Sequence, residues 1–287
     1  EADKTVLLYP EGQDTDKGIV ENGETVTLGP GESNGITEAE TRNKYGNVSL
    51  VGDKARMEFY FPEKPNGQMV VVCPGGGYST VCAIKEGEDV AKWMNKRGVT
   101  VCVVVYRLPN GHAKVPLTDV QNAFRYCRKH AAEWGISQIG IMGFSAGGHL
   151  AASASVLFTD SITRPDFSVL IYPVIDLAHH EGTRKELVGD DNMLKEKYSL
   201  QNQIGEDTPR TFIALCQDDK VVNPKSSLLY YNSLLDKGIK AEMYIFPTGG
   251  HGWGFLNEEI SGRKDGLAGY RNIFGECLGK FLDEVKK

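Results

Sequence analysis

The chain has 287 residues, with 32 Lys and Arg against 38 Asp and Glu, for a formal net charge of −6 at pH 7. That balance excludes the basic footprint of a nucleic-acid or anionic-membrane binder, and no apolar stretch is long enough to cross a bilayer. Six cysteines over this length do not define a disulfide framework, while the length is ample for a large core.

Residues 1–45 are rich in Gly, Glu and Asn, with Thr25-Val26-Thr27-Leu28 as their clearest β-like patch, and read as an extension packing on a single domain over 46–287. The chain starts with Glu and not Met, as after removal of a signal peptide, so export to a periplasm or the cell exterior is expected, with a cytoplasmic location left open. Asn47 to Val51 and Ala55 to Phe61 flank Gly52-Asp53-Lys54, which predicts an antiparallel hairpin at a sheet edge.

From here apolar runs alternate with helix-length segments, the pattern of a mostly parallel sheet covered by helices on both faces. Met69-Val70-Val71-Val72-Cys73 ends in Pro74-Gly75-Gly76-Gly77-Tyr78, whose consecutive glycines let backbone N–H groups of Gly76 and Gly77 converge on one point. Neither a G-x-G-x-x-G pattern nor a P-loop Lys-Ser/Thr ending is present in this loop, which disfavours a phosphate cradle. Val90, Trp93 and Met94 have helical spacing with Gly98 as the stop, Val99 to Val105 reads as a strand, and Val120, Phe124 and Cys127 mark a second helix ending near Gly135.

Gln138-Ile139-Gly140-Ile141-Met142 reads as a buried strand and Gly148 to Ser155 as a helix of small residues, with Gly143-Phe144-Ser145-Ala146-Gly147 between them. A G-x-S-x-G at a strand-to-helix turn is the setting of a strained nucleophile elbow, with Ser145 as nucleophile and the Ala146 N–H as an oxyanion donor. A serine hydroxyl needs a base, and a base needs an orienting acid. Of six histidines, His251 stands out: it lies in Thr248-Gly249-Gly250-His251-Gly252-Trp253-Gly254, just after the strand-like Met243 to Phe246. His149 follows Ser145 on the helix, pointing away from the hydroxyl, and His179-His180-Glu181 reads as a solvated loop rather than a metal site.

Asp218 and Asp219 follow the strand Thr211 to Cys216, and only one of two neighbouring side chains is expected to reach the ring; Asp176, after Ser168 to Tyr172, is a third candidate or a cap. The polar segment 176–208 interrupts the alternation and reads as a pocket cap or a surface excursion. Tyr78 and Trp253 border the glycine loops, as substrate-binding or packing residues. Cys73, Cys102 and Cys216 fall in strand-like runs, which disfavours a cysteine nucleophile, and Gly262 to Lys287 reads as a final amphipathic helix using Tyr270, Ile273, Phe274, Cys277, Leu278, Phe281 and Leu282.

Together Pro74 to Tyr78, Tyr106-Arg107-Leu108-Pro109, Gly143 to Leu150, Asp218-Asp219-Lys220 and Gly250-His251-Gly252 resemble the α/β-hydrolase superfamily, esterase/lipase branch, close to bacterial acetyl-xylan-esterase-like carbohydrate esterases. The resemblance spans roughly Ala55 to Phe255, and the order Ser145, Asp219, His251 is that of the fold. It implies that Asp219, three residues before Val222, is the acid; Asn223 intervening before Pro224 is a departure that keeps Asp218 open. It further implies a serine carboxylesterase without metal or cofactor, acting on short acyl esters, acetyl first, of a plant cell-wall carbohydrate such as xylan. The bacterial resemblance leaves the sequon Asn47-Val48-Ser49 expected bare. A serine peptidase of the prolyl-oligopeptidase type and a non-catalytic hydrolase-fold binding protein are the competing readings.

Overall fold

Valine-rich runs buried on both sides form the middle of the sheet, because a strand flanked by helices above and below has no face left for polar side chains. The computed structural model describes residues 1–10, 20–21, 24–25, 41–49, 51 and 54–286. In chain order the strands are β1 (Lys4–Leu7), β2 (Val20–Glu21), β3 (Glu24–Thr25), β4 (Thr41–Arg42), β5 (Asn47–Ser49), β6 (Arg56–Tyr60), β7 (Gln68–Cys73), β8 (Val81–Cys82), β9 (Thr100–Val105), β10 (Gln138–Phe144), β11 (Ser168–Ile171), β12 (Thr211–Cys216) and β13 (Ala241–Phe246). The helices are α1 (Asp89–Lys96), α2 (Lys114–His130), α3 (Ala146–Val156), α4 (Glu181–Val188), α5 (Asn192–Lys197), α6 (Lys225–Asp236), α7 (Glu258–Ser261) and α8 (Arg271–Val285).

The main sheet runs β1-β6-β9-β7-β10-β11-β12-β13, with β6 antiparallel to both its neighbours, β1 and β9, and every other pairing parallel. Along β10, Gly140 lies against the Phe167 ring, which packs on Phe281 of α8, whereas Gly143, of opposite parity, lies against Ala151 of α3. Side chains alternate along a strand, so α3 and α8 cover opposite faces. The chain leaves β7 for β9 on one side and returns to β10 on the other, which makes the carboxyl ends of β7 and β10 a topological switch point, the place where open α/β sheets bind ligands.

The predicted hairpin of 47–51 with 55–61 does not form. The partner of β6 is β1, with Lys4 opposite Phe59 and Leu7 opposite Arg56, while β5 pairs with β4 and β8 in a separate small sheet. Met57 and Phe59 are buried and need neighbours on both sides, which β1 and β9 supply; β1 itself is largely exposed, as an edge strand tolerates. The small sheet instead braces the glycine loop: Thr80 Oγ1 donates to Val48 O at 2.9 Å and Cys82 N to Gly75 O at 2.9 Å.

Residues 1–10 are stapled to the core by Tyr9, whose hydroxyl donates to Asp119 Oδ1 at 2.5 Å and accepts from Arg107 Nη2 at 3.0 Å. Of the β-like patch 25–28, residues 26–28 lie outside the described residues. The tail is helical only from Arg271, with Phe274, Leu278, Phe281 and Leu282 buried; residues 262–270, including Tyr270, form turns before the helix, and Ile273 faces solvent. The segment 176–208 is an excursion of α4, α5 and two 3₁₀ turns that inserts Leu177 and Leu200 into the core. No helix among the described residues is long and apolar enough to cross a membrane.

Candidate active site

Ser145 sits in the turn between β10 and α3, with φ 56° and ψ −119°, a conformation that costs a non-glycine residue free energy. Two glycines make the turn possible by close approach. A Cβ on Gly143 would lie 2.1 Å from Gly147 O, and one on Gly147 would lie 2.1 Å from Cys73 O, so any side chain there would push α3 off the strand ends. Ser145 N donates to Ile171 O and Ser145 O accepts from Val174 N, which pins the elbow to the neighbouring strand.

Residues remote in sequence meet here. Ser145 Oγ is 2.8 Å from His251 Nε2, and His251 Nδ1 is 2.7 Å from Asp219 Oδ2. An ionised carboxylate only accepts, so Nδ1 carries the proton and Nε2 accepts from the serine hydroxyl. The other oxygen, Asp219 Oδ1, accepts from the N–H groups of Val221 and Val222, each at 2.9 Å, which fixes the carboxylate's orientation. Joined in this way, the three groups can move the hydroxyl proton to Nε2 while the carboxylate steadies the resulting imidazolium.

The adjacent aspartates face different partners. Asp218 accepts from Gly250 N at 2.8 Å and from Thr248 Oγ1 at 2.9 Å, so it holds the loop that carries His251 while Asp219 holds the ring. These hydrogen bonds, Gly250 N first, depress the Asp218 pKa. Asp176 takes the capping alternative: it accepts from Ala178 N, Ser199 Oγ and Gln201 Nε2, away from the ring.

The glycine loop passes directly beside the serine, since a Cβ on Gly75 would stand 3.1 Å from Ser145 Cβ. Gly75 N is committed to Glu86 Oε1 at 2.9 Å, whereas the N–H groups of Gly76, Gly77 and Ala146 have no protein acceptor among the described residues. Ala146 is also the first residue of α3, whose N-terminal dipole adds positive potential at Ser145.

Tyr78 and Trp253 are packed beneath the loops, at 1% and 2% exposure, rather than presenting open faces to a substrate. This corrects their reading as substrate-binding residues. Tyr78 OH lies 2.9 Å from His149 Nδ1, and His149 Nε2 lies 2.7 Å from Tyr198 O; the carbonyl can only accept, so Nε2 carries the proton and Tyr78 donates to Nδ1. Burial lowers the His149 pKa to about 4. His149 thus ties the glycine loop to the 176–208 excursion, both of its ring nitrogens being engaged by Tyr78 and Tyr198. The thiols nearest the glycine loop and the Asp219 strand end are held protonated: burial raises Cys73 and pushes Cys82 and Cys216 up to about 12.

Three residues of this neighbourhood escape a reading of the sequence. Glu86, 3% exposed, lies at a kink (φ −115°, ψ 17°) in a π-type turn Ile84–Glu88 and accepts from Gly75 N and from Tyr172 OH. Tyr172, at φ 35°, packs its ring 4.5 Å from that of His251 and accepts from Gly254 N at 2.9 Å. His180, expected in a solvated loop, is instead half-buried and N-caps α4 by accepting from Thr183 N, with its pKa lowered by burial and then by nearby His251. An acid and a tyrosine at these positions carry no local signal, because their roles depend on partners 11 and 86 residues away.

Residues 70–204 match the model of a family described as having the α/β hydrolase fold. The chain is 37% identical over 230 residues to an acetylxylan esterase of Xylanibacter ruminicola, covering 76% of this chain and 48% of that protein. It is 35% identical over 211 residues to an endo-1,4-beta-xylanase B of Butyrivibrio fibrisolvens, of which it covers 33%. The chain therefore spans half the length, or less, of these curated relatives. Among solved structures it is similar to an acetyl ester-xyloside bifunctional hydrolase of Caldicellulosiruptor lactoaceticus, with TM-score 0.76, 28% identity, and coverage of 99% of this chain and 97% of that one.

Proposed function

We propose that this chain, which belongs to the α/β-hydrolase superfamily, is a serine carboxylesterase that removes short acyl groups, acetyl first, from a cell-wall carbohydrate such as xylan. The observation that carries the proposal is the unbroken relay from Ser145 Oγ through His251 to Asp219, at 2.8 and 2.7 Å, on the carboxyl edge of the sheet. The names of the Xylanibacter and Caldicellulosiruptor proteins support the acetyl and xylan parts of the reading.

In the mechanism, Ser145 Oγ attacks the ester carbonyl as its proton passes to His251 Nε2. The carbonyl oxygen, now negative, lies among the N–H groups of Gly76, Gly77 and Ala146, where each donor contributes about 10²–10³ in rate. As the C–O bond breaks, His251 returns the proton to the departing sugar hydroxyl. Water then attacks the acyl-serine with His251 again as base, and acetate leaves. Segment 176–208 brings His180 within electrostatic reach of His251.

The test is hydrolysis of p-nitrophenyl acetate, butyrate and octanoate and of acetylated xylan by the wild type and Ser145→Ala. Acetate release from xylan and a preference for the acetyl ester, both abolished in the variant, are expected. Ester cleavage that survives Ser145→Ala, or none in the wild type, overturns the proposal.

A further inference from the structure

A cavity of about 540 Å³ opens between the β4–β5 turn, the Ile84–Glu88 turn and α7, on the flank of the histidine loop. Lys85 joins it to the site described above: the side chain lines the cavity, and its Nζ donates to Gly252 O at 2.8 Å, one residue from His251.

The lining is polar and partly unpaired. Asp89 is only 7% exposed, yet its Oδ2 has no hydrogen-bond partner, and its nearest cation, Lys92, stands 3.8 Å from the other oxygen. A buried carboxylate oxygen left without a donor is costly, and such a group calls for an explanation. Asn257 uses its side-chain oxygen to cap α7, accepting from Glu259 N and Ile260 N, which leaves its amide N–H groups without a protein acceptor among the described residues. The Arg263 guanidinium makes no hydrogen bond or ion pair among the described residues. Tyr45 adds an aromatic ring at the rim, 43% exposed and held from one side by the Lys44 ammonium 4.9 Å from its centre.

An acceptor carboxylate, donor amide and guanidinium groups, and an aromatic rim are what a pyranose requires, since each sugar hydroxyl both donates and accepts and the ring carries apolar C–H faces. We propose that this cavity is a carbohydrate subsite, in which Asp89 accepts from sugar hydroxyls, Asn257 and Arg263 donate to them, and Tyr45 carries the ring. The inference rests on the esterase reading in one respect: it places the sugar beside the acylated unit being processed at Ser145. Occupation of the cavity then fixes which hydroxyl's ester reaches the serine, a specificity that an artificial ester does not use.

The experiment titrates the unesterified oligosaccharides xylotetraose and cellotetraose, which carry no ester to cleave, into wild type, Tyr45→Ala and Asp89→Asn by calorimetry. In parallel, kcat and KM are measured on acetylated xylotetraose and on p-nitrophenyl acetate. Expected are binding of xylotetraose to the wild type, affinity about tenfold weaker in each variant, a matching rise in KM for the acetylated sugar, and p-nitrophenyl acetate turnover within about twofold of wild type. No binding of either oligosaccharide to the wild type, or unchanged affinity and KM in both variants, overturns the subsite. Failure of the esterase reading is distinct: p-nitrophenyl acetate is then not cleaved in a Ser145-dependent way, whatever the oligosaccharide titrations give. Tyr45 lies on the surface, so its variant keeps the test decisive should Asp89→Asn fold poorly.

Discussion

The carboxylate of Glu86 and the phenol of Tyr172 meet at 2.5 Å, and between them they hold the two loops that flank Ser145. Glu86 fixes Gly75 of the glycine loop, and Tyr172 fixes Gly254 and packs on the His251 ring. A shift of either loop is therefore transmitted to the other through one buried hydrogen bond.

Tyr172→Phe removes the bonds to Glu86 and Gly254 and leaves a buried carboxylate oxygen unpaired. Turnover of p-nitrophenyl acetate is expected to fall about 10- to 100-fold with little change in KM, at a stability cost of about 1–3 kcal/mol. Glu86→Gln, which retains an acceptor for Gly75 N, is expected to lose less. A kcat unchanged in Tyr172→Phe would show that the linkage is only structural.

The three aspartates are expected to separate by partner. Asp219→Asn removes the acceptor that sets the His251 tautomer and is expected to lower kcat about 10⁴-fold. Asp218→Asn loosens the histidine loop, with a loss of about tenfold, and Asp176→Asn acts on the excursion with less than about twofold effect on turnover. Steady-state kinetics on one ester ranks all three; equal losses at Asp218 and Asp219 would contradict the division of roles.

His149 makes folding sensitive to acid. Its folded-state pKa, about 4, lies below the ordinary 6.5, so between these values the unfolded chain binds a proton that the folded chain does not. The stabilisation is complete above pH 6.5 and is lost as pH falls toward 4, by roughly 3 kcal/mol. Urea denaturation at pH 7 and pH 4.5 is expected to show most of that loss in the wild type, and a smaller difference in His149→Gln.

Arg107 and Asp119 are both fully buried, paired through Nη2–Oδ1 at 2.5 Å and Nε–Oδ1 at 3.0 Å, with Tyr9 closing the cluster. Asp119→Ala strands a buried guanidinium and is expected to cost about 3–5 kcal/mol, while Tyr9→Phe costs about 1 kcal/mol. Thermal or chemical denaturation checks both; similar stabilities would mean that the pair relaxes toward solvent when broken.

The parallel strands and the elbow were legible because their signals are local. Runs such as Met69 to Cys73 need only the rule that doubly covered strands are apolar, and Ser145 needs only glycines at the positions where a Cβ would strike Gly147 O or Cys73 O. The β1–β6 pairing was not legible, since Gly52-Asp53-Lys54 looks like a turn whichever strand pairs with β6, and the choice of Lys4–Leu7 rests on contacts some fifty residues apart. Ile273 likewise fits the helical period of the tail yet faces solvent, because the orientation of α8 is set by the aromatic contacts of Phe274 and Phe281.

By itself the sequence determined the sheet's parallel centre, the serine turn and the loop that carries His251, all consequences of backbone sterics and hydrophobic period acting over a few residues. Only the tertiary structure decided that Asp219 meets the ring while Asp218 ties the loop, that Tyr78 and Trp253 are packed away, and that Glu86 and Tyr172 join the two loops. Hydrogen-bond direction and burial are properties of partners, and the partners here are brought together by the crossing of the chain at β7 and β10 and not by their spacing along it.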